Sequence, residues 1–419
     1  MDKAFHFEQH HLFCDDVDIS DFAKHKKTPF YLYSAGELKN NLAQVNEIGR
    51  PYSFLACYAL KANYNPRLLE IIRTYNFGAD VVSGGELIFA LKTGFAPDKI
   101  VFAGVGKTEE ELELAVKTEI ASVNIESESE LKKLSDIARH LKKQVSVAIR
   151  INPDIDVDTH EYISTGKKIN KFGIEETKAY QLYKSIKDNP WLRPEGIHVH
   201  IGSQIKDKGP FERTAQFLQK FITKLKNEGI HLNNIDLGGG IGINYENDFN
   251  DPLIPSTYID QILPYYLKAF GIKDYRFTVE LGRSIIASAG ILISKVLYRK
   301  QSADKTFIIV DAAMNNLIRP SLYQAYHHII PLEQKDRPQE VVDVVGPVCE
   351  TGDFLAKNRP LPRLEEGEYI AVVGAGAYGQ SLASNYNLRP VIAEYLVEGK
   401  TVDTIRKEQK TEDLYTQFA

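Results

Sequence analysis

Between about Phe54 and Arg283 the chain repeats one pattern: a short apolar run, a polar break, then a longer segment with apolar residues at three- to four-residue spacing. The runs are Phe54–Leu60, Ala79–Val82, Ile100–Ala103, Ser122–Ile125, Val145–Ile151, Gly196–Ile201, Asn234–Leu237 and Phe277–Leu281. They are rich in Val, Ile, Phe and Tyr, which predicts strands of a parallel sheet covered on both faces. Arg67–Tyr75, Glu109–Lys117, Glu128–Lys142 and Phe211–Glu228 carry the helical period between them. Eight strands alternating with helices over about 230 residues predict an α/β fold, a closed (β/α)8 TIM-type barrel in preference to an open doubly wound sheet.

After Arg283 the pattern changes. Ile285–Val296, Thr306–Val310, Glu340–Val345 and Tyr369–Val373 read as strands separated by turns and Pro-containing loops, with little helical period. A C-terminal, mainly β domain follows, and the strand-like Pro29–Tyr33 is expected to pair with it. The expected division is a barrel over residues 35–283 and a β domain built from 1–34 and 284–419.

A length of 419 residues exceeds one ordinary core and agrees with two domains. The hydrophobic share of 43% and charged share of 26% are those of a globular protein. A net charge of −5 lacks the clustered positive surface that a nucleic-acid partner calls for. Cys14, Cys57 and Cys349 are odd in number and far apart, so they form no disulfide framework and suit a reducing compartment. The N-terminus has no apolar signal segment, and no run reaches the roughly 20 residues of a bilayer span. The expectation is a cytoplasmic protein with no membrane or nucleic-acid partner.

Chemistry in a barrel of this kind sits in the loops after the strands. Strand one runs into Tyr58-Ala59-Leu60-Lys61-Ala62-Asn63. A lysine there is either an ordinary amine reaching water or a nucleophile of depressed pKa, ready to form an imine. Strand six ends in His198-Val199-His200-Ile201-Gly202-Ser203, and period two sets both imidazoles on one face. Such a ring is a satisfied core residue or a platform for a flat aromatic ligand. Strand seven ends in Asp236-Leu237-Gly238-Gly239-Gly240, a run that makes a tight turn and also admits a phosphate to backbone amides. Strand eight ends in Glu280-Leu281-Gly282-Arg283. The glutamate suits a cationic ring nitrogen and the arginine a carboxylate, unless the two simply pair. Each feature alone is weak. Amine, imidazole, phosphate loop and carboxylate at successive strand ends together describe a pyridoxal phosphate site, with no metal.

On these motifs the chain resembles the fold-type III pyridoxal-phosphate enzymes, the group of alanine racemase and ornithine decarboxylase, and within it the diaminopimelate decarboxylase family. The resemblance runs from about Pro29 to about Glu398. It implies pyridoxal 5'-phosphate as cofactor, and a homodimer whose active sites are shared between one barrel and the partner's β domain. It implies a carboxy-lyase reaction, from meso-2,6-diaminopimelate to L-lysine and CO2, the last step of lysine biosynthesis. By this resemblance Lys61 is catalytic and carries the cofactor as a Schiff base, while Asp80 and His200 line the cofactor, His200 stacking on its ring. Ser203, Gly238, Gly239 and Gly240 hold the phosphate. Glu280 binds the pyridinium nitrogen, Gly282 and Arg283 contact the cofactor, and Arg283 also takes a substrate carboxylate. Asp311-Ala312-Ala313-Met314-Asn315-Asn316-Leu317-Ile318-Arg319-Pro320-Ser321-Leu322-Tyr323 resembles the family's substrate-binding segment, with Arg319 and Tyr323 as contacts. Gly346-Pro347-Val348-Cys349-Glu350-Thr351-Gly352-Asp353 resembles its partner-subunit loop, with Cys349 as catalytic proton donor and Glu350 at the substrate's distal ammonium. In Ala377-Tyr378-Gly379 the tyrosine reaches cofactor and substrate. One departure is Leu281, where the family usually has proline; losing a fixed φ there loosens the presentation of Arg283.

Diaminopimelate has two amino-acid ends and loses CO2 from one. Arg283 and Arg319 suit the carboxylate that stays, and Glu350 the ammonium. Ornithine lacks that distal carboxylate and would leave two arginines without their anion, at about a few kcal/mol. Alternative readings are a decarboxylase of ornithine, arginine or a carboxylated polyamine, and a non-catalytic pyridoxal-phosphate-binding homologue. A nicotinamide-dependent oxidoreductase would use Gly374-Ala375-Gly376-Ala377-Tyr378-Gly379, with Glu394 as the ribose acid. Asn385, Asn387 and Pro390 leave that motif no room for its helix.

Overall fold

The structure, a computed structural model, describes residues 4–155, 171–205, 207–246, 255–271 and 274–418. The chain divides into two compact units: Asn41–Ile243 with Leu253–Ser284, and Met1–Asn40 with Asn244–Pro252 and Ile285–Ala419.

The first unit holds all eight predicted strands: Phe54–Ala59, Gly78–Val81, Ile100–Phe102, Ser122–Ile125, Val145–Arg150, Leu192–His198, Asn234–Asp236 and Arg276–Leu281. Each runs parallel to the next, and the eighth pairs with the first, Val279 opposite Ala56, so the barrel closes. Nearly every strand residue is buried, the continuous apolar pattern of a sheet with helices outside. The helices start where side chains can cap them. Thr108 accepts from Glu111 N–H at 3.2 Å while the Glu111 carboxylate accepts from Thr108 N–H at 2.8 Å, and helix Glu109–Thr118 follows. Ser127 does the same one-sidedly for Glu128–Leu141, which buries Leu131, Leu134, Ile137 and Ala138. Lys107, almost fully buried, donates to Gly104 O (2.8 Å), Asn124 O (2.7 Å) and Glu130 (2.7 Å). One amine thus ties the loop after strand three to strand four and its helix.

Strand six begins four residues before the expected Gly196, at Leu192, and ends at His198. Leu192 pairs with Val145, and a bulge between Pro194 and Gly196 carries Arg-Pro-Glu through a ladder that its polar composition conceals. Val199 to Ile201 leave the strand to follow the glycine turn.

In the second unit the expected strand Ile285–Val296 is corrected at its start. Arg283–Ile286 is a short helix, and the strand runs Gly290–Ser302. The short apolar stretch Ile285–Ala287 fits either state, and the turn that returns Gly290 N–H to Ala287 O decides it. The other expected strands appear as Lys305–Val310, Gln339–Val345 and Tyr369–Val372. Phe30–Ser34 lies between Gly290–Ser302 and Ala393–Glu398, as the pairing expectation required. Phe5, Leu12, Cys14, Phe30, Leu32, Ile291, Ile293 and Tyr395 share one core, which explains the burial of Cys14. Gly374–Gly379 opens no dinucleotide-binding helix; a single 3-10 turn, Gln380–Leu382, follows. Glu394, fully buried, accepts from Tyr33 OH at 2.8 Å, a structural role.

Among the described residues no helix is long and apolar enough to cross a membrane.

Candidate active site

Chain ends of the barrel strands bring the first group of site residues together. Lys61 sits in a 3-10 turn immediately after strand one, its side chain 39% exposed. Its Nζ lies 3.3 Å from Oδ2 of Asp80, the fully buried end of strand two, whose Cα pairs with Ala59. Asp80 Oδ1 has no hydrogen-bond partner among the described residues. Burial and the charge of Glu280 push Asp80 up to about 6, against the pull of Lys61.

Glu280, on strand eight, is buried beside His198, with Oε2 3.4 Å from Nε2. Asn124 on strand four donates to its Oε1 at 3.4 Å. Burial alone would raise its pKa, but the charges of His198 and Lys61 outweigh burial and hold the carboxyl below its ordinary range. His198 responds oppositely: burial opposes its charge, and the Glu280 and Asp236 carboxylates override it and raise its pKa. Asp236, at the end of strand seven, is pushed up to about 7 by burial and Glu280. His198, Asp236 and Glu280 set ligand-type atoms within 4.8 Å of one another, and positive charge reaches this cluster from Lys61 and Arg150. Two acids with raised pKa values thus flank one whose pKa is lowered.

The glycine run packs backbone on backbone. A Cβ on Gly239 would stand 2.0 Å from the Glu280 carbonyl oxygen, and one on Gly240, at φ +96°, 2.2 Å from the Gly202 carbonyl oxygen. Only hydrogen fits at either position. Gly238 N–H donates to Asp236 Oδ1 at 3.0 Å and Gly239 N–H to His200 Nδ1 at 3.0 Å. Among the described residues that leaves the Gly240 amide as the one of the three without an acceptor. Since an amide only donates, His200 Nδ1 presents a lone pair and the imidazole is neutral. Packing and the positive charges of Arg150 and Lys61 agree, pulling its pKa well below the ordinary value.

Arg283 is buried, and its Nη2 donates to Ser203 Oγ at 3.0 Å. Leu281, in the proline position, extends strand eight by pairing with Tyr58. The guanidinium is thus seated by Ser203 and burial without a proline to fix it.

The second group lies in the other unit. Arg319 opens helix Arg319–Tyr323 and is buried; Tyr323, at its end, is half-buried. Cys349 is exposed in the 346–353 turn, its N–H donating to Asn387 Oδ1 at 2.8 Å. The buried Asp353 carboxylate accepts from Met314 N–H at 2.6 Å and Val348 N–H at 2.7 Å. Ser321 Oγ donates to Gly352 O at 2.6 Å. These bonds bind the Arg319 segment to the Cys349–Glu350 turn. Tyr378, half-buried, takes a left-handed φ of +56°.

Residues 37–287 match the family model described as pyridoxal-dependent decarboxylase, pyridoxal binding domain. The diaminopimelate decarboxylase of Aquifex aeolicus is 45% identical over 95% of this chain and 93% of its own length. That of Vibrio cholerae is 41% identical over 99% and 98%. The chain belongs to the diaminopimelate decarboxylase family.

The crystal structure of the Helicobacter pylori diaminopimelate decarboxylase, complexed with L-lysine, superposes with a TM-score of 0.90, at 42% identity over 96% of this chain and 99% of that one. Family membership accounts for the (β/α)8 barrel with its C-terminal sheet domain and for pyridoxal phosphate as the cofactor. The residues fit that group: a carboxylate oxygen on Asp80 and another on Asp236, neither with a hydrogen-bond partner among the described residues, and a turn too tight for any Cβ line one barrel mouth. Sequence reasoning assigned nothing to Asp236, Asn124, Arg150, Asp353 or His327. For the first three a signal existed, a polar residue within an otherwise apolar buried strand.

Proposed function

We propose that the protein decarboxylates meso-2,6-diaminopimelate to L-lysine and CO2. The observation that carries the reading is one barrel mouth holding an amine (Lys61), a buried carboxylate kept charged (Glu280), a neutral imidazole (His200) and a triple-glycine turn. Lys61 would hold the cofactor covalently, His200 would face its ring, Glu280 its ring nitrogen, and Asp80 would lie beside Lys61. The phosphate would fall to Ser203, Arg283 and the Gly238–Gly240 turn, chiefly the Gly240 amide, with Gly282 at its edge. When bound, pyridoxal phosphate supplies an electron sink for the pair left behind as CO2 departs.

The chain's own groups do the rest. A charged Glu280 favours a protonated partner opposite it, and His198 beside it helps maintain that charge. Neutral His200 adds no positive charge that would compete with that proton. Arg283 and Arg319 would take the remaining carboxylate and Glu350 the distal ammonium, with Tyr323 and Tyr378 as further contacts. Cys349 Sγ would deliver the proton that replaces CO2. Exposure of Cys349 and Glu350 on one turn fits a homodimer in which a second copy contributes that turn to the barrel's site, in the cytoplasm.

Lys61→Ala tests the reading. Added pyridoxal phosphate should no longer give the visible absorption of covalently held cofactor, and CO2 release should cease; retention of both overturns it. Mixing Lys61→Ala with Cys349→Ala subunits should restore part of the activity, and a mixture as inactive as its components refutes shared sites.

A further inference from the structure

Arg319 and His327 form a buried pair within the sheet unit. Arg319 Nη1 lies 2.7 Å from His327 Nε2, and His327 Nδ1 lies 2.9 Å from the Val373 carbonyl oxygen. A carbonyl only accepts and a guanidinium only donates. The ring proton therefore sits on Nδ1, and Nε2 offers a lone pair to Arg319: a neutral imidazole in one fixed tautomer.

The imidazole is anchored from several directions. Arg359 Nη1 donates to the His327 carbonyl at 2.6 Å, and Val373 N–H donates to the His328 carbonyl at 2.8 Å. The strand that follows, Ile329–Pro331, pairs with Tyr369–Val372. Tyr245 stands edge-on to the His327 ring with centroids 4.9 Å apart, and the Arg319 guanidinium carbon lies 4.5 Å over the Tyr245 ring. A neutral nitrogen acceptor orients one edge of the fork without neutralising it, as a carboxylate in its place would.

We propose that His327 is a positioning residue for substrate recognition, fixing the Arg319 guanidinium so that it meets the carboxylate which the reaction leaves in place. The proposal rests on the reading of Arg319 as a carboxylate ligand.

Two variants separate the bond to Val373 from the bond to Arg319. His327→Asn keeps a donor near the Val373 carbonyl but is too short to reach Arg319; His327→Gln places an acceptor near the position of Nε2. Inhibition by L-lysine, which carries the retained carboxylate, is compared with inhibition by 1,5-diaminopentane, which has none. In His327→Asn the KM for meso-diaminopimelate and the inhibition constant of L-lysine should rise about tenfold to a hundredfold. The diamine should inhibit as before, and His327→Gln should recover most of the loss. Equal losses for both inhibitors, or none for L-lysine, overturn the proposal. If Arg319→Lys weakens L-lysine while His327→Asn does not, the positioning role fails and the carboxylate reading stands. If Arg319→Lys leaves L-lysine inhibition unchanged, the carboxylate reading itself fails, and the proposal with it. Nitrogen NMR of histidine-labelled wild type decides the matter without a variant: a neutral ring protonated on Nδ1 is expected, and an Nε2-protonated or doubly protonated ring refutes it.

Discussion

Gly239→Ala probes the close backbone approach on which the barrel mouth depends. Gly239 has an ordinary φ, so alanine meets no conformational penalty there. What it meets is the Glu280 carbonyl oxygen, 2.0 Å from the added Cβ, with the carbonyl carbon at 3.2 Å. Real Cβ contacts do not fall below 3.0 Å, so the turn and the end of strand eight must part by roughly 1 Å. That movement stretches Glu280 N–H to Gly238 O from 2.7 Å and Gly239 N–H to His200 Nδ1 from 3.0 Å, both past bonding range. Each buried bond lost costs about 1–3 kcal/mol, and overpacking about as much again. Without cofactor the turn can open and relieve the clash, whereas binding requires it closed, so most of the cost falls on affinity. We expect the dissociation constant for pyridoxal phosphate, from absorbance titration, to rise at least about a hundredfold, or ~3 kcal/mol. The melting temperature of the cofactor-free variant should fall by only about a few degrees. Gly106→Ala, with nothing within 4 Å of the new Cβ, should titrate like wild type. Wild-type affinity in Gly239→Ala would mean that cofactor binding does not need this close backbone approach.

Cys349→Ala should keep the visible absorption of bound cofactor and lose most of kcat; an unchanged kcat reduces the thiol to a surface residue. Asp236 is held at about 7 in the folded protein against 3.8 unfolded, so its stabilising contribution is complete below about pH 4 and is lost as pH rises through about 7. Cofactor-free Asp236→Asn should therefore lose less stability than wild type between pH 5 and 8 in denaturant titrations, and equal losses would contradict the assignment. Lys107→Met strands the buried Glu130 carboxylate and should destabilise the protein by about 3–5 kcal/mol, with Glu130→Gln recovering part of it. A loss within about 0.5 kcal/mol would make that amine a bystander.

The barrel was legible because eight short runs of Val, Ile, Phe and Tyr are buried on both faces, and burial on both faces is written in composition. Boundaries were less so. Strand six hides its first turn of ladder in Arg193-Pro194-Glu195, where pairing with strand five overrides local preference. Lys61, the glycine run and Glu280 stood out because a lysine, three glycines and an acid each break an apolar pattern at a strand end. The assignment of Arg319, Cys349 and Glu350 came from resemblance to a family, since no periodicity marks a residue whose role depends on loops joined by Asp353 across 39 positions. His327 was silent for a related reason: its meaning lies in the Val373 carbonyl, 46 positions on, and in the Arg319 guanidinium, 8 positions back, a spacing that belongs to no strand or helix repeat.

Substrate choice is read by supplying the purified holoenzyme with meso-diaminopimelate, L-ornithine, L-lysine and L-arginine in parallel and measuring CO2 release and the amine product of each. Rapid CO2 release is expected from meso-diaminopimelate alone, with L-lysine as the product, because Arg283 and Arg319 call for a second carboxylate, besides the one lost, and the other three amino acids have only one. Preference for ornithine or arginine, or no CO2 from meso-diaminopimelate, would contradict it.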